Sequence, residues 1–313
     1  MGTLGDLLTP PLLGAIWGSL GSLPPRMRSK LGAKLGALYG TLPSRSRTIA
    51  ELQLQVFLKD PNYRVTCRNH FANLGRATLE SMNLKAVLRD PSFELQVPNQ
   101  EYLTSILQNQ KPGIFFTAHY GNWDLLAAWT VAQGKPLVVV ARPARNPHFH
   151  TLLRNLRSSY GVETIWRGES SALKAIIATL DRGAIIGAVI DQDTDVRSEQ
   201  VPFFGCSAKT PSALAELAHR KKIPVASAFI SREEGFRFRL HLTPLPIEHS
   251  PQEILQEYHR NLEAVVREYP DQWVWLHKRW RTTEPEKTLG TKEYLNWLQK
   301  RLGTAEVKVS APL

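Results

Sequence analysis

His119 and Asp124 stand five positions apart in the run Thr117-Ala-His-Tyr-Gly-Asn-Trp-Asp124, with Gly121-Asn122 bending the chain between them. An imidazole and a carboxylate at this spacing can form a base and its orienting acid. The carboxylate fixes the tautomer at one ring nitrogen and stabilises the imidazolium, and the other nitrogen takes a proton from a hydroxyl. No serine or cysteine nucleophile sits nearby, so direct transfer of a group to a substrate hydroxyl is the simplest chemistry. The bland alternative is a histidine that caps a strand and an aspartate favoured by a helix dipole.

The elements around the motif favour the first reading. The apolar run over 113–118 predicts a buried strand, and 125–132 predicts a helix with Asn122 as its N-cap and Gly134 as its stop. His119 then falls at the carboxyl end of a strand and Asp124 in the first turn of the next helix, where open α/β sheets place their chemistry. Residues up to about 97 read as mostly helical, with 63–84 as one continuous candidate. After that, predicted strands over 137–141, 162–165, 184–190, 223–231 and 236–242 alternate with helices over 148–159, 170–180 and 252–268. Thr210 is expected to cap a further helix with Pro211 at its first position. The alternation predicts an α/β fold: a mixed, largely parallel sheet flanked by helices, with a helical, membrane-facing N-terminal extension. The expected divisions are a segment over 1–48, an α/β domain over 49–290, and a C-terminal helix and tail over 291–313.

Other candidates fall on the same sheet edge. Arg142 and Arg145 follow an apolar strand, and a guanidinium fork there suits phosphate or carboxylate. Arg157 lies late in the helix over 148–159, where the dipole favours a cation. Asp191 and Asp193 end an apolar strand; with no His, Cys or further acid at ligand spacing, no metal is expected, and orienting cations or loop amides is their expected work. Val201-Pro-Phe-Phe-Gly205 reads as a loop whose phenylalanines meet either an acyl chain or the core. Trp273, Trp275 and Trp280 interleave with His277, Lys278, Arg279 and Arg281, a pattern open to base stacking, a lipid interface or a core strand with a basic edge.

Composition narrows the class. Of 313 residues 42% are hydrophobic and 21% charged, which predicts a folded globular chain. The formal net charge of +11 calls for an anionic partner. Cys67 and Cys206 are the only cysteines, far apart and without metal-ligand spacing, which suits a reducing compartment. Residues 7–25 are uncharged and apolar but interrupted by Pro10, Pro11, Gly14, Gly18 and Gly21, and no basic region precedes them as in a cleaved signal peptide. No acid occurs from Leu7 through Ala50, whereas Arg26, Arg28, Lys30, Lys34, Arg45 and Arg47 are cationic. This predicts an interfacial anchor with Leu12, Leu13, Ile16 and Trp17 inserted and Arg26, Arg28, Lys30 and Lys34 on anionic headgroups.

Six stretches, in order, carry a family resemblance: His119-Tyr-Gly-Asn-Trp-Asp124, Arg142-Pro-Ala-Arg-Asn-Pro147, Arg157-Ser-Ser-Tyr-Gly161, Asp191-Gln-Asp193, Val201-Pro-Phe-Phe-Gly205 and Pro270-Asp-Gln-Trp-Val-Trp-Leu-His-Lys-Arg-Trp280. From about Leu35 to Thr282 the chain resembles the late lipid A acyltransferases (lauroyl and myristoyl transferases) of the glycerolipid acyltransferase superfamily. Many relatives carry glutamate where this chain has Asp124. The resemblance implies O-acyl transfer without a cofactor from acyl carrier protein, or acyl-CoA, to a hydroxyl of a phosphorylated glycolipid, a lipid A precursor. It would occur at the cytoplasmic face of the bacterial inner membrane, on an enzyme held peripherally or by one weak N-terminal span. His119 would be the base and Asp124 its orienting acid; Arg142, Arg145 and Arg157 would bind acceptor anions, with Asp191 and Asp193 supporting them. Backbone amides near Gly121 could meet the oxyanion. Alternative acceptors are a lysophospholipid, an ornithine lipid or a mannosylated inositol lipid. A non-catalytic basic module is the other class, but no nucleic-acid-binding signature supports it.

Overall fold

The computed structural model describes residues 10–108, 111–144, 146–168, 170–284 and 287–309. The chain enters through four main helices, α1 (Pro10–Ser22), α2 (Pro25–Tyr39), α3 (Arg45–Gln53) and α4 (Tyr63–Ser81). The helix expected over 63–84 breaks because Asn83 caps a new one, α5 (Leu84–Leu88), its side chain accepting from the Ala86 N–H. Strand β1 (Glu94–Gln96) and α6 (Gln100–Gln108) lead into the alternating region.

There the elements run β2 (Gly113–Thr117), α7 (Trp123–Ala132), β3 (Leu137–Ala141), α8 (Pro147–Ser159), β4 (Glu163–Trp166), α9 (Ala172–Asp181) and β5 (Ile185–Val189). A hairpin, β6 (Ser198–Phe203) with β7 (Cys206–Pro211), precedes α10 (Ala213–Lys221), β8 (Val225–Glu234), β9 (Arg237–Leu245) and α11 (Pro251–Glu268). Strands β10 (Thr282–Glu284) and β11 (Lys287–Thr288) and helix α12 (Thr291–Val309) follow. Seven strands form one sheet in the order β1-β9-β8-β2-β5-β3-β4. Only the β8–β9 pair within it is antiparallel, so the sheet is mixed and largely parallel. Its central strands are near-continuous apolar runs because both faces are covered. Phe115, Leu137 and Ile185 pack beneath α7 and α8 on one face, while Phe116, Val138, Ile186 and Ala188 pack with α9, α10 and α11 on the other.

Several local expectations give way to packing. Thr210-Pro211 does not open a helix: both belong to β7, and α10 begins after Ser212. Phe203 and Phe204 are both buried, Phe203 against Trp280 and Trp273, so this segment belongs to the core and not to a free loop. Trp273, Trp275 and Trp280 are likewise buried. At the N-terminus, α1 runs on from Pro10 through Gly14 and Gly18, since proline is tolerated in a first helical turn. Trp17 packs against the α7 side of the core, which opposes its insertion into a membrane. Arg28 is fully buried and donates to the Gly21 and Asn83 carbonyl oxygens at 2.6 and 3.0 Å, so it cannot meet a headgroup. Residues 7–9 and the side chains of Leu12, Leu13 and Ile16 lie outside the described residues. Among those described, no helix is long and apolar enough to cross a membrane.

Candidate active site

Neighbouring strands bring the reactive groups together. Thr117 of β2 lies beside Val189 of β5, so the residues two positions beyond, His119 and Asp191, emerge level at the carboxyl edge. His119 Nδ1 lies 2.8 Å from Asp191 Oδ1, and the His119 backbone N–H donates to Oδ2 at 3.0 Å. The Trp273 indole N–H also donates to Oδ2, at 2.8 Å. Burial alone would raise the Asp191 pKa. The His119 charge and the three hydrogen bonds outweigh it and hold the carboxyl below its usual range. This pairing assigns the ring proton to Nδ1 and leaves Nε2 as the acceptor, with the Gln192 amide nitrogen 3.5 Å away. The Trp123 ring meets the imidazole edge-on at 5.0 Å between centroids.

The expected partner, Asp124, is elsewhere. Asn122 accepts from the Leu125 N–H at 3.0 Å and starts α7 at Trp123. The Asp124 carboxylate in the first turn then reaches α8, with Oδ1 3.4 Å from Arg157 Nε and 3.5 Å from the Tyr160 hydroxyl. The carboxylate on the histidine is therefore Asp191, although His119, Asp124 and Arg157 share one cavity wall.

A web of contacts, part of it silent in the sequence, holds the motif. Gly121 has φ +57°, and a Cβ there would collide with the Ile230 carbonyl oxygen, so only glycine fits. Its N–H donates to the Gln272 carbonyl at 2.9 Å, which removes it from the expected oxyanion role. Val274 N–H donates to the His119 carbonyl at 3.0 Å. The Gln272 side chain brackets the Arg232 backbone, accepting from its N–H at 2.8 Å and donating to its carbonyl at 2.7 Å. Asn122 donates to Glu80 at 3.0 Å, and the buried Glu80 carboxylate pairs with Arg232. Trp273 and its neighbours carried an aromatic signal in the sequence; Glu80 and Arg232 carried none.

Beside His119 opens a cavity of about 670 Å³, within the usual range for small-molecule sites. Arg142 stands exposed at its rim after β3. Arg167, which the sequence reading did not single out, is half-buried after β4 and lines the same cavity. The two are neighbours because Ala141 pairs with Trp166 and the Arg167 N–H donates to the Ala141 carbonyl at 2.8 Å. Burial and the adjacent Arg142 charge both lower the Arg167 pKa. Among the described residues neither guanidinium has a carboxylate partner. The signal for Arg167 was present: like Arg142, it is a cation directly after an apolar strand.

The remaining candidates divide. Arg157 is committed to Asp124, and Arg145 lies outside the described residues. Asp193 is buried, accepts from the Thr282 N–H at 2.9 Å and pairs with Arg281 Nε at 3.2 Å, so it braces a loop away from the cavity. Arg279 is also buried, donating to the Lys209 carbonyl and the Thr210 hydroxyl, which removes it from any headgroup-facing role. Among the described residues no group of three or more His, Cys, Asp or Glu side chains could hold a metal ion.

The chain is similar over most of its length to curated proteins. It is 24% identical over 289 residues to lipid A biosynthesis acyltransferase 2 of Shigella flexneri, covering 87% of this chain and 88% of that protein. It is 23% identical over 290 residues to a lipid A biosynthesis acyltransferase of Haemophilus influenzae, covering 86% of each. To the lipid A biosynthesis myristoyltransferase of Escherichia coli K12 it is 24% identical over 274 residues, covering 84% and 83%. The family model for the bacterial lipid A biosynthesis acyltransferases matches residues 9–282, and the chain belongs to that family as an acyltransferase.

Proposed function

We propose that this acyltransferase moves a fatty acyl group from acyl carrier protein to a hydroxyl on a hydroxyacyl chain of a phosphorylated glycolipid, a secondary acylation of a lipid A precursor. The observation that carries the reading is His119, whose Nδ1 sits on a buried carboxylate while Nε2 borders an apolar cavity. In the forward step Nε2 takes the hydroxyl proton as the oxygen attacks the thioester carbonyl carbon. The tetrahedral intermediate then collapses, the C–S bond breaks, and the imidazolium returns the proton to the leaving thiolate. Asp191 stabilises the transient imidazolium. Arg142 and Arg167 meet phosphate oxygens, and the Gln192 amide lies close enough to Nε2 to help position the attacking hydroxyl. The net charge of +11 supports an acidic donor such as acyl carrier protein over a neutral one.

We also propose peripheral attachment to an anionic membrane, at the cytoplasmic face of the inner membrane, through the outward side of α2. Met27, Leu35, Leu38 and Tyr39 are exposed there, with Leu42 just beyond, and Lys30 and Lys34 stand among them. Arg26, by contrast, is paired with Asp90 at 3.1 Å.

The test is purified protein with acyl carrier protein thioester and a phosphorylated, hydroxyacylated glycolipid, read by mass spectrometry. The expected product carries one more ester-linked chain, and His119→Ala lowers turnover by roughly 10²- to 10⁴-fold. Transfer to a lysophospholipid in preference to the glycolipid would replace the acceptor. Full turnover by a folded His119→Ala variant would end the assignment of the base.

A further inference from the structure

The cavity at His119 touches both faces of the sheet. Along β3 and β5, Val139 and Gly187 line it on the α7 side, whereas Val140 and Ala188, whose side chains point the opposite way, line it on the α9–α10 side. Two lobes therefore meet over the carboxyl edge where His119 and Gln192 stand. The α7 lobe is walled by buried Phe115, Leu126 and Leu137, and Thr130 lies six residues, roughly 9 Å, along the helix from Asp124. The α9–α10 lobe is walled by Ile176 and Leu214 and opens at Leu173, which is 62% exposed.

Gly187 marks what the first lobe does. It sits mid-strand without a positive φ, so the backbone does not demand glycine. A Cβ there would meet Val139 Cγ1 at 3.4 Å and Leu137 Cδ1 at 3.8 Å, ordinary or slightly tight contacts. Glycine in a buried strand sacrifices packing and marks close approach of another group. Here Gly187 lines the cavity between Val139 and Leu137, so a larger side chain at this position would take up part of the α7 lobe.

We propose that the two lobes are separate acyl sites on opposite faces of β3 and β5: the α7 lobe, walled by buried side chains, takes the donor's fatty chain, and the α9–α10 lobe, with exposed Leu173 at its edge, takes the tail of the acceptor's hydroxyacyl chain. This rests on the acyl-transfer reading above. Both reactants carry a chain next to the reacting atom, so both chains must leave His119 in different directions. A donor presents one chain, which a lobe walled by buried Phe115, Leu126 and Leu137 can accommodate and measure. An acceptor with several chains needs a lobe continuous with the surface, and exposed Leu173 gives that opening an apolar lip.

The experiment compares wild type, Gly187→Val and Leu214→Trp, each checked by thermal melt, on a mixture of acyl carrier protein thioesters of different lengths and a phosphorylated glycolipid. Gly187→Val is expected to shift the transferred chain to shorter lengths, disfavouring the wild-type chain by roughly 10- to 200-fold, since each methylene misfit in an apolar pocket carries discrimination of that order. Leu214→Trp is expected to raise the acceptor KM by at least about tenfold while the transferred chain lengths stay those of wild type. If folded Gly187→Val keeps the wild-type length profile, or Leu214→Trp alters that profile while acceptor KM stays put, the assignment is overturned. A wild type that transfers no acyl group to any lipid hydroxyl would instead defeat the parent reading.

Discussion

Replacing Asp191 by asparagine separates the two carboxylates near His119. Asp191 accepts three hydrogen bonds, from the His119 backbone, the His119 ring and the Trp273 indole. An asparagine offers one carbonyl oxygen and turns an NH₂ group towards the remaining donor, so at least one buried N–H loses its partner. Hydrogen bonds to a charged group are worth about 1.5–3 kcal/mol each, and a comparable loss of stability is expected at pH 7. The catalytic loss should be larger in proportion. Without the negative charge the imidazolium is unsupported and the amide favours the wrong tautomer, and turnover should fall by roughly 10³- to 10⁴-fold. The acceptor KM should change little, because the buried Asp191 side chain meets His119 and Trp273 and not the open cavity.

The pH dependence provides an internal check. The Asp191 pKa is held below its unfolded value, so its stabilisation is present above the unfolded pKa of about 3.9 and is lost as pH falls through the folded value. The melting-temperature gap between wild type and Asp191→Asn should therefore be wide at neutral pH and close in acid. Asp124→Asn serves as the contrast, since it loosens Arg157 and Tyr160 but leaves the carboxylate on His119 in place, and it should lower turnover far less. Steady-state kinetics with a fixed donor decide between them. If Asp191→Asn keeps wild-type turnover while Asp124→Asn loses it, the working partner of His119 is Asp124 and the observed pairing is not the catalytic one.

Three further outcomes follow from other parts of the molecule. Gly121→Ala forces a Cβ onto the Ile230 carbonyl at a positive φ and should both lower the melting temperature and abolish transfer; normal activity would show that the turn can relax. Burial lowers the pKa of His70, His259 and His277 to about 4, 3 and 4, so their contribution is complete above the unfolded value of about 6.5 and drains away as pH drops towards those values; a melting temperature flat between pH 7 and 4.5 would contradict this. Combining Lys34→Glu, Leu35→Glu and Leu38→Glu should release the protein from anionic vesicles in co-sedimentation, whereas unchanged binding would locate the anchor elsewhere.

Local pattern carried much of this fold and stopped where long-range pairing began. The strand ends that bear His119, Arg142 and Asp191 were legible from apolar runs, because a strand buried on both faces needs them. Which strand lies beside which was not legible. Chain order would put β3 next to β2, but β5 inserts between them, and that insertion sets Asp191 on His119 where sequence proximity had nominated Asp124. Thr210-Pro211 has the composition of a helix start, yet its pairing with β6 across a hairpin outweighs that local preference. Arg28 looked like a headgroup contact because its charge is visible in sequence, while the carbonyls of Gly21 and Asn83 that receive it are set only by tertiary packing.

The same helix, α4, supports both the N-terminal layer and the catalytic turn. Gly75 lets it approach α2 at Gly32 and Gly36 so closely that a Cβ at any of the three would collide with the facing backbone. Six residues short of its C-terminal end sits that glycine, and one residue short sits Glu80, which binds Asn122 and Arg232. Removing the chain before Ser44 would therefore strip α2 from α4, expose Phe71 and loosen the seat of Glu80. Such a truncation would lower activity even in detergent, where no membrane attachment is needed. Charge and apolar changes confined to the outer side of α2 leave that glycine interface untouched, so they alone can distinguish loss of the membrane from loss of the site.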